Sequence, residues 1–225
     1  MLKDFFNLLY PKECAACNNT LLQNEHCICT ICRFELPNTN FHLEPDNQVE
    51  KLFWGRVKLE AATSLYYFTK SGLVQKLLQE LKYNNNTEVG ICLGEIMGDS
   101  LKNASILSDI DIIIPIPLHP KKEYKRGYNQ SYFFAKGISD IIEIPIAEKN
   151  LKRVVFTETQ TNKTRIERWE NVEDIFVIKN PDNLKGKHIL LVDDVVTTGA
   201  TAESCAKVLL EIEDVKVSFV SIAVA

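Results

Sequence analysis

The stretch from Ile189 to Thr201, ILLVDDVVTTGAT, constrains the fold of this chain more than any other. Its first four residues are apolar, which is typical of a strand buried on both faces of a parallel sheet. Two acids follow, and then a short loop rich in small and hydroxyl-bearing residues. From Ala202 the apolar residues recur at helical spacing. The sequence therefore predicts a buried strand, an acidic pair, a loop and a helix, in that order.

This order of residues has a chemical use. The start of a helix offers unpaired N–H groups and the positive end of a dipole, and together these bind phosphate. Gly199 lets the backbone approach a ligand closely, and the threonine hydroxyls add donors. Asp193 and Asp194 would repel a phosphate, but they suit sugar hydroxyls or a magnesium ion. The predicted ligand therefore carries a phosphate and a ribose-like diol, and it binds with a metal.

The same stretch resembles the phosphoribosyl-pyrophosphate (PRPP) motif of type I phosphoribosyltransferases. The resemblance implies that the two acids hold the ribose hydroxyls and that the loop cradles the 5-phosphate. The alternative is an ordinary strand–turn–helix corner. The candidate site for PRPP or ribose 5-phosphate comprises Asp193, Asp194, Val195, Val196, Thr197, Thr198, Gly199, Ala200 and Thr201.

The N-terminal part of the chain contains two CxxC pairs separated by eleven residues. Four thiolates in this pattern suit the tetrahedral shell of a structural zinc ion, and the surrounding segment has too few apolar residues to fold alone. Cys27 or His26 could replace Cys29 as a ligand, and free cysteines in a loop are the alternative. Cys92 and Cys205 are isolated in the sequence and lie in apolar helical contexts, so they are predicted to be small buried hydrophobic residues. The candidate metal ligands are Cys14, Cys17, Cys29 and Cys32.

Strands and helices alternate along the rest of the chain. The alternation predicts an α/β fold with a doubly wound, mostly parallel sheet. Residues 34–47 contain proline, asparagine and acids, and they are predicted to be a linker or loop. We expect residues 1–48 to form an N-terminal helix and zinc ribbon, and residues 49–225 to form the sheet domain. The predicted strands cover 59–68, 110–116, 145–155, 175–178, 187–192 and 215–224, and the predicted helices cover 72–82, 89–101, 130–142 and the region from 202.

Charge is unevenly distributed along the chain. The net charge is −4, but the segments 121–126 and 149–168 together carry +7, which leaves −11 for the remainder. Basic residues concentrated in two loop-like segments favour an anionic ligand over a broad nucleic-acid face. An odd number of cysteines argues against a secreted disulfide scaffold, and no apolar run is long enough to span a bilayer. The expected location is the cytoplasm.

Three further segments are similar to the ComF family, which has the type I phosphoribosyltransferase fold and an N-terminal zinc ribbon. They are the CxxC pairs with a following Leu36-Pro37, the segment IPIPLHPKKEYKRGYNQS, and the segment QTNKTRIERWENV. Tyr128 replaces the usual Phe, and asparagines follow Lys82-Tyr83 where the family often has Gly-Asp. The resemblance implies a pyrophosphate loop of Pro117, Lys122, Lys125, Arg126, Gly127, Asn129 and Gln130, and a flexible loop containing Gln160, Thr161, Arg165 and Arg168.

Two classes of function follow from this resemblance. The first is phosphoribosyl transfer from PRPP, a glycosyltransferase reaction that uses Mg²⁺. The second is a non-catalytic adaptor or single-stranded DNA-binding module of the competence machinery for DNA uptake, in which the fold senses phosphate or PRPP. The implied partners are PRPP or ribose 5-phosphate, single-stranded DNA and other competence proteins. The sequence identifies neither the acceptor nor a general base, since His119 suits a backbone cap at least as well as a proton carrier.

Overall fold

A four-stranded parallel sheet lies at the centre of the described structure. The computed structural model describes residues 11–102, 104, 109–154 and 175–225. The sheet has the order β1-β6-β5-β2, and a separate antiparallel pair joins β3 to β4. The strands are β1 (Ala62–Tyr67), β2 (Ile112–Pro115), β3 (Leu151–Val154), β4 (Ile175–Ile178), β5 (His188–Val196) and β6 (Lys216–Val224).

The helices connect the strands in the way that the alternating pattern predicts. They are α1 (Thr30–Glu35), α2 (Gln48–Lys51), α3 (Leu73–Tyr83), α4 (Thr87–Lys102), α5 (Pro120–Arg126), α6 (Gln130–Ile142) and α7 (Ala200–Leu210), with 3₁₀ turns at Phe41–Leu43 and Pro181–Leu184. In the ranges that the structure describes, no helix is long and apolar enough to cross a membrane.

Both faces of the sheet are buried, and alternate residues of β5 show this directly. Leu190 and Val192 pack in one hydrophobic cluster with α3, α4 and α6. Ile189 and Leu191 pack in a second cluster with α7 and the β3–β4 pair. Because successive side chains of a strand point to opposite faces, these clusters lie on the two sides of the sheet. The predicted doubly wound, mostly parallel sheet is confirmed.

Helices α4 and α6 lie against each other at two glycines. A Cβ atom on Gly94 would come within 2.2 Å of the Phe134 carbonyl oxygen, and one on Gly137 within 2.0 Å of the Ile91 carbonyl oxygen. Only glycine allows backbones to approach this closely. The contact fixes the position of α6, whose first residues lie at the carboxyl edge of the sheet.

The segment that the sequence predicts as a linker is packed against β1. The Thr39 N–H donates to the Leu65 carbonyl (3.1 Å), and the Tyr67 N–H donates to the Pro37 carbonyl (2.9 Å). Phe41 meets the Tyr67 ring edge-on, with centroids 5.5 Å apart. Residues 34–47 are mostly loop, as one of the two predicted alternatives states, but they are not a free linker, because they pair with an edge strand and bury a ring. The division between residues 48 and 49 stays a prediction.

Two local predictions also need correction. The basic segment after β2 is a helix, α5, and not a loop, because His119 Nδ1 accepts the Lys121 N–H (3.2 Å) and Pro120 occupies the first turn. His119 is thus a helix cap. Strand β5 runs on through Asp193 to Val196, since these residues pair with β6 as far as Val224. The acids therefore lie within the strand, not after it.

Candidate functional site

Two adjacent carboxylates lie near the carboxyl end of β5. Asp193 Oδ1 accepts hydrogen bonds from the Ser131 hydroxyl (3.0 Å) and from the Asp194 N–H (2.8 Å). Asp194 Oδ2 forms an ion pair with Lys82 Nζ at 2.8 Å, and both side chains are largely buried. Helices α3 and α6 therefore each supply one partner to the acidic pair.

The environment of Asp193 disfavours its charged form. Burial of the carboxyl, and then the charge of Asp194, raise its pKa from 3.8 to about 7. The Asp194 N–H, the Ser131 hydroxyl and Lys82 act in the opposite direction and limit this rise. The Asp193 carboxyl therefore titrates close to neutral pH.

The loop after β5 forms a small cradle at the start of α7. Gly199 is the N-cap of this helix and has a φ of 76°, a backbone conformation that favours glycine. The first N–H groups of a helix have no partner within the helix. Here the Ala200 N–H donates to the Thr198 hydroxyl oxygen at 3.4 Å, and the N–H groups that follow can donate to a ligand. The cavity has a volume of about 60 Å³ and is lined by Asp193, Val195, Val196, Thr197, Thr198, Gly199, Ala200, Thr201, Ala202 and Phe219.

A larger, strongly basic cavity lies beside Lys82, the ion-pair partner of Asp194. Arg126 stacks over the Tyr83 ring at 5.5 Å from its centroid. Lys82 lines this cavity and also pairs with Asp194, so it links the basic cavity to the acids. The volume is about 530 Å³, and the lining residues are Lys82, Tyr83, Asn85, Lys122, Lys125, Arg126 and Tyr128.

The residues that the family resemblance assigns to the pyrophosphate loop fall into two groups. Lys122, Lys125 and Arg126 line the basic cavity. The others have different surroundings. Pro117 and Asn129 line a separate cavity of about 300 Å³, Gly127 ends α5 with a φ of 79°, and the Gln130 amide oxygen accepts from Arg126 Nη1 at 2.8 Å.

The four cysteines of the two CxxC pairs meet at one point. Their sulfur atoms all lie within 4.8 Å of one another, and Cys17 Sγ is 3.8 Å from Cys29 Sγ. A tetrahedral zinc ion with Zn–S distances of about 2.3 Å requires sulfur separations of about 3.8 Å. Burial opposes ionisation of Cys14, but the N–H groups of Cys29, Cys17 and Ala16 outweigh it and lower its pKa to about 7. The cluster is compatible with a structural zinc ion.

Cys27 belongs to a different pair. Its thiol hydrogen-bonds with the thiol of Cys92 on α4, and this contact and burial raise the pKa of Cys27. The cluster that could hold a metal does not include Cys27 or His26. Cys205 is a small buried residue as predicted, whereas Cys92 is only partly buried.

The chain is similar to a known domain family and to several known proteins. A family model described as a phosphoribosyl transferase domain matches residues 129–225. Competence protein F of Haemophilus influenzae is 29% identical over 147 residues, which cover 63% of this chain and 64% of that protein, so the match spans less than two thirds of the latter. Competence protein ComFC of Bacillus subtilis is 28% identical over 209 residues, which cover 91% of this chain and 81% of that protein.

The chain is thus similar to competence proteins F and ComFC, and its residues 129–225 match the phosphoribosyl transferase domain family.

Two further similarities extend along most of the chain. The DNA utilization protein YhgH of Escherichia coli O157:H7 is 26% identical over 219 residues, which cover 90% of this chain and 92% of that protein. Among solved structures, the adenine phosphoribosyltransferase of Leishmania tarentolae aligns with 84% of this chain and 94% of that chain, at 15% identity and a TM-score of 0.41.

The flexible-loop residues that the ComF resemblance predicts lie outside the described residues, and so does the segment before residue 11. Conversely, the structure shows two contacts that the sequence does not predict: Lys82 and Ser131 both contact the acidic pair. A lysine at the end of a helix and a serine in a first turn carry no distinctive signal, because their importance comes from long-range contacts.

A buried Ser–His–Asp arrangement at the opposite edge of the sheet is not a second active site. His188 Nε2 lies 2.8 Å from the Ser218 hydroxyl oxygen, and its Nδ1 lies 2.9 Å from an Asp109 carboxylate oxygen. However, His188 and Ser218 are both buried, so no substrate can reach the serine oxygen. The group therefore joins the first residues of β5 and β6 and satisfies their polar atoms.

The raised pKa of Asp193 predicts how stability depends on pH. Because the folded-state pKa of about 7 lies above the ordinary value of 3.8, the folded protein holds this proton more tightly than the unfolded chain. The Asp193 contribution to stability therefore decreases as the pH rises from 3.8 to about 7. Asp193→Asn should remove this decrease, because an amide does not titrate. The fold should be kept, since the amide oxygen can still accept both hydrogen bonds. Urea unfolding at a series of pH values measures the difference, and identical slopes for both proteins would contradict the prediction.

Proposed function

We propose that this chain binds PRPP, or ribose 5-phosphate, at the carboxyl edge of β5 and that it acts as a phosphoribosyltransferase. The observation that carries the proposal is the arrangement of three parts around one point. The acidic pair adjoins the small cradle at the start of α7, and Lys82 links the same acids to a cavity lined by four basic residues. The three parts match the diol, the phosphate and the pyrophosphate of PRPP.

Each part would bind one group of the ligand by ordinary chemistry. Carboxylates accept hydrogen bonds from ribose hydroxyls, so Asp193 and Asp194 would orient the sugar. The N–H groups and the dipole at the start of α7 would hold the 5-phosphate. Arg126 can make a forked contact with the pyrophosphate, and Lys122 and Lys125 would act as point charges.

Magnesium fits this proposal because the acidic pair offers the hard oxygen ligands that Mg²⁺ prefers. Bound Mg²⁺ would supply charge neutralisation at the pyrophosphate, with Asp193 or Asp194 holding it directly or through the sugar. The contribution of the chain is to position the reacting centre and to stabilise charge that develops when the bond to pyrophosphate breaks. The basic cavity would stabilise the departing anion, and the acids would face the electron-poor ribose.

Calorimetric titration with PRPP and Mg²⁺ tests the binding site. Gly199→Ala should weaken binding by at least about tenfold, because a Cβ at a φ of 76° is strained and would lie 3.0 Å from the Phe53 ring. Gly186→Ala is the matched control. It has a φ of 67° and carries the same backbone strain, but it lies before β5, at the opposite edge of the sheet.

Wild type and Gly186→Ala should bind alike in this titration. Asp194→Asn should also lose affinity, by about 1.5–3 kcal/mol, because the amide removes a charge-assisted acceptor. If wild-type protein does not bind at millimolar ligand, the proposed site is wrong. If wild-type protein does bind, pyrophosphate release from PRPP across a panel of bases and amines separates binding alone from transfer.

We also propose that the four-cysteine cluster holds a structural zinc ion. The purified, reduced protein should contain about one zinc per chain, and Cys17→Ser should lose the metal and lower the melting temperature. Cys205→Ser, in a buried cysteine of α7 outside the cluster, controls for the loss of a thiol. Zinc-free protein after purification without chelators would refute this proposal. Reduced cysteines also favour the cytoplasm as its location.

A second candidate function is single-stranded DNA binding during DNA uptake. Tyr124 is 93% exposed and Tyr83 is 69% exposed, and both lie beside the lysines of α5 and the basic cavity. Exposed aromatic rings interleaved with cations are typical of surfaces that bind single strands, because bases stack on the rings while the cations follow the backbone. The names of the relatives, which refer to competence and DNA utilization, agree with this function.

Fluorescence anisotropy with a labelled single strand tests this candidate. Tyr124→Ala should weaken binding by about 1–3 kcal/mol and leave PRPP binding unchanged, because the ring stacks on bases and does not line the basic cavity. Phe34→Ala is the control, since this ring is 89% exposed on α1, outside the basic surface. Equal affinity of wild type and Tyr124→Ala, or binding insensitive to salt, would exclude this surface.

A further inference from the structure

The guanidinium group of Arg56 connects the N-terminal half of the chain to the loop that precedes α7. Its Nη1 donates to the Leu52 carbonyl at 2.9 Å and to the Thr198 carbonyl at 2.7 Å. Its Nη2 forms an ion pair with the Glu203 carboxylate in the first turn of α7. One side chain therefore holds two carbonyl groups and one acid that lie in separate parts of the sequence.

The segment that carries Arg56 is itself firmly anchored. Asn47 caps α2 through its side-chain oxygen, and its Nδ2 donates to the Ala62 carbonyl of β1 at 2.9 Å. Phe53 is buried against Phe219 of β6, with ring centroids 5.6 Å apart, and the same ring faces Gly199. Arg56 thus reaches the loop from a base fixed on two strands of the sheet.

The contact with Thr198 fixes the direction of the next N–H group. In a trans peptide the C=O and the N–H lie in the same plane and point in opposite directions. Because the Thr198 carbonyl points at Arg56, the Gly199 N–H points away from Arg56. The peptide cannot rotate without losing this hydrogen bond. The donor is therefore oriented before any ligand arrives, which reduces the entropic cost of binding.

The contact with Glu203 has an electrostatic consequence. A carboxylate in the first turn of α7 would repel an anion bound at the start of the same helix. Arg56 and Lys207 both pair with Glu203, and Lys207 Nζ lies 2.6 Å from Glu203 Oε1. The two cations neutralise the acid and preserve the positive potential of the helix start.

We infer that Arg56 is a positioning residue of the phosphate cradle, acting by fixing the Thr198–Gly199 peptide and by neutralising Glu203. This inference rests on the proposed function, because it assigns the cradle to a sugar phosphate. It adds a residue that lies outside the part of the chain matched by the family model. The cradle is thus formed by two distant segments of the sequence, and the residues of the loop alone do not determine its shape.

Titration with ribose 5-phosphate tests the inference. Arg56→Ala should weaken binding by about tenfold to about a hundredfold, the range expected when charge-assisted hydrogen bonds are lost. Lys58→Ala is the matched control. It removes a cation two residues away whose contact is a 3.7 Å pair with Glu60, and it should stay within about twofold of wild type.

Two readouts separate positioning from a general loss of structure. Guanidinium ion at low, non-denaturing concentration should restore binding to Arg56→Ala, and ammonium at the same ionic strength should not, because only guanidinium can offer one nitrogen to the two carbonyls and a second nitrogen to the Glu203 carboxylate. The amide resonance of Gly199 should also shift and exchange faster with solvent in Arg56→Ala without ligand. If this variant does not fold, Arg56→Lys takes its place, since lysine keeps the pair with Glu203 but not both carbonyl contacts.

The outcomes distinguish the inference from the function on which it rests. If wild type binds and Arg56→Ala binds equally, the inference is wrong and the proposed function stands. If wild type does not bind ribose 5-phosphate, the proposed function is wrong. The Gly199 exchange rate then still decides whether Arg56 orders the loop, and an unchanged rate would reject that as well.

Discussion

Burial of two adjacent carboxylates at the end of β5 is the constraint on which the carboxyl edge of the sheet depends. Buried charge is costly unless it is paired and hydrogen-bonded, and two neighbouring acids also repel each other. Lys82 at the end of α3 and Ser131 at the start of α6 offset this cost. Both helices must therefore end or begin at this edge, and the glycine contact between α4 and α6 keeps α6 there. The arrangement of the helices thus places a hydrogen-bond or ion-pair partner beside each acid.

Local patterns in the sequence predict the parts of this site that are continuous in the chain. The strand–acid–loop–helix order around Asp193 and the bounds of α6 follow from apolar spacing and small residues. The extension of β5 through the acids could not be predicted, because it depends on pairing with β6. The roles of Lys82 and Arg56 could not be predicted either, since each contacts a residue more than a hundred positions away in the sequence. The helix α5 was missed because a histidine cap is a weak signal beside three prolines.

The cysteine module and the sheet domain of this protein share one hydrophobic cluster. Cys14, Ile28 and Leu36 are buried together with residues of α3 and α4, and Cys27 meets Cys92 across that contact. A metal held by the cysteines would therefore stabilise more than a surface loop, because the same residues cover apolar surface of the sheet domain. This arrangement explains how a segment with few apolar residues of its own can be ordered.

The pairing of residues 37–39 with β1 has a consequence for the behaviour of the protein in solution. A parallel sheet exposes unpaired N–H and C=O groups at its outer strands, and such edges can recruit strands from other molecules. Here the Pro37 carbonyl and the Thr39 N–H occupy these groups on β1, while on β2, at the other side, the Ile113 N–H donates to the Pro145 carbonyl and the Ile113 carbonyl accepts from the Ala147 N–H. Proline cannot donate to a further strand. Both edges are thus closed by short segments of the chain itself, which protects the sheet against edge-to-edge aggregation.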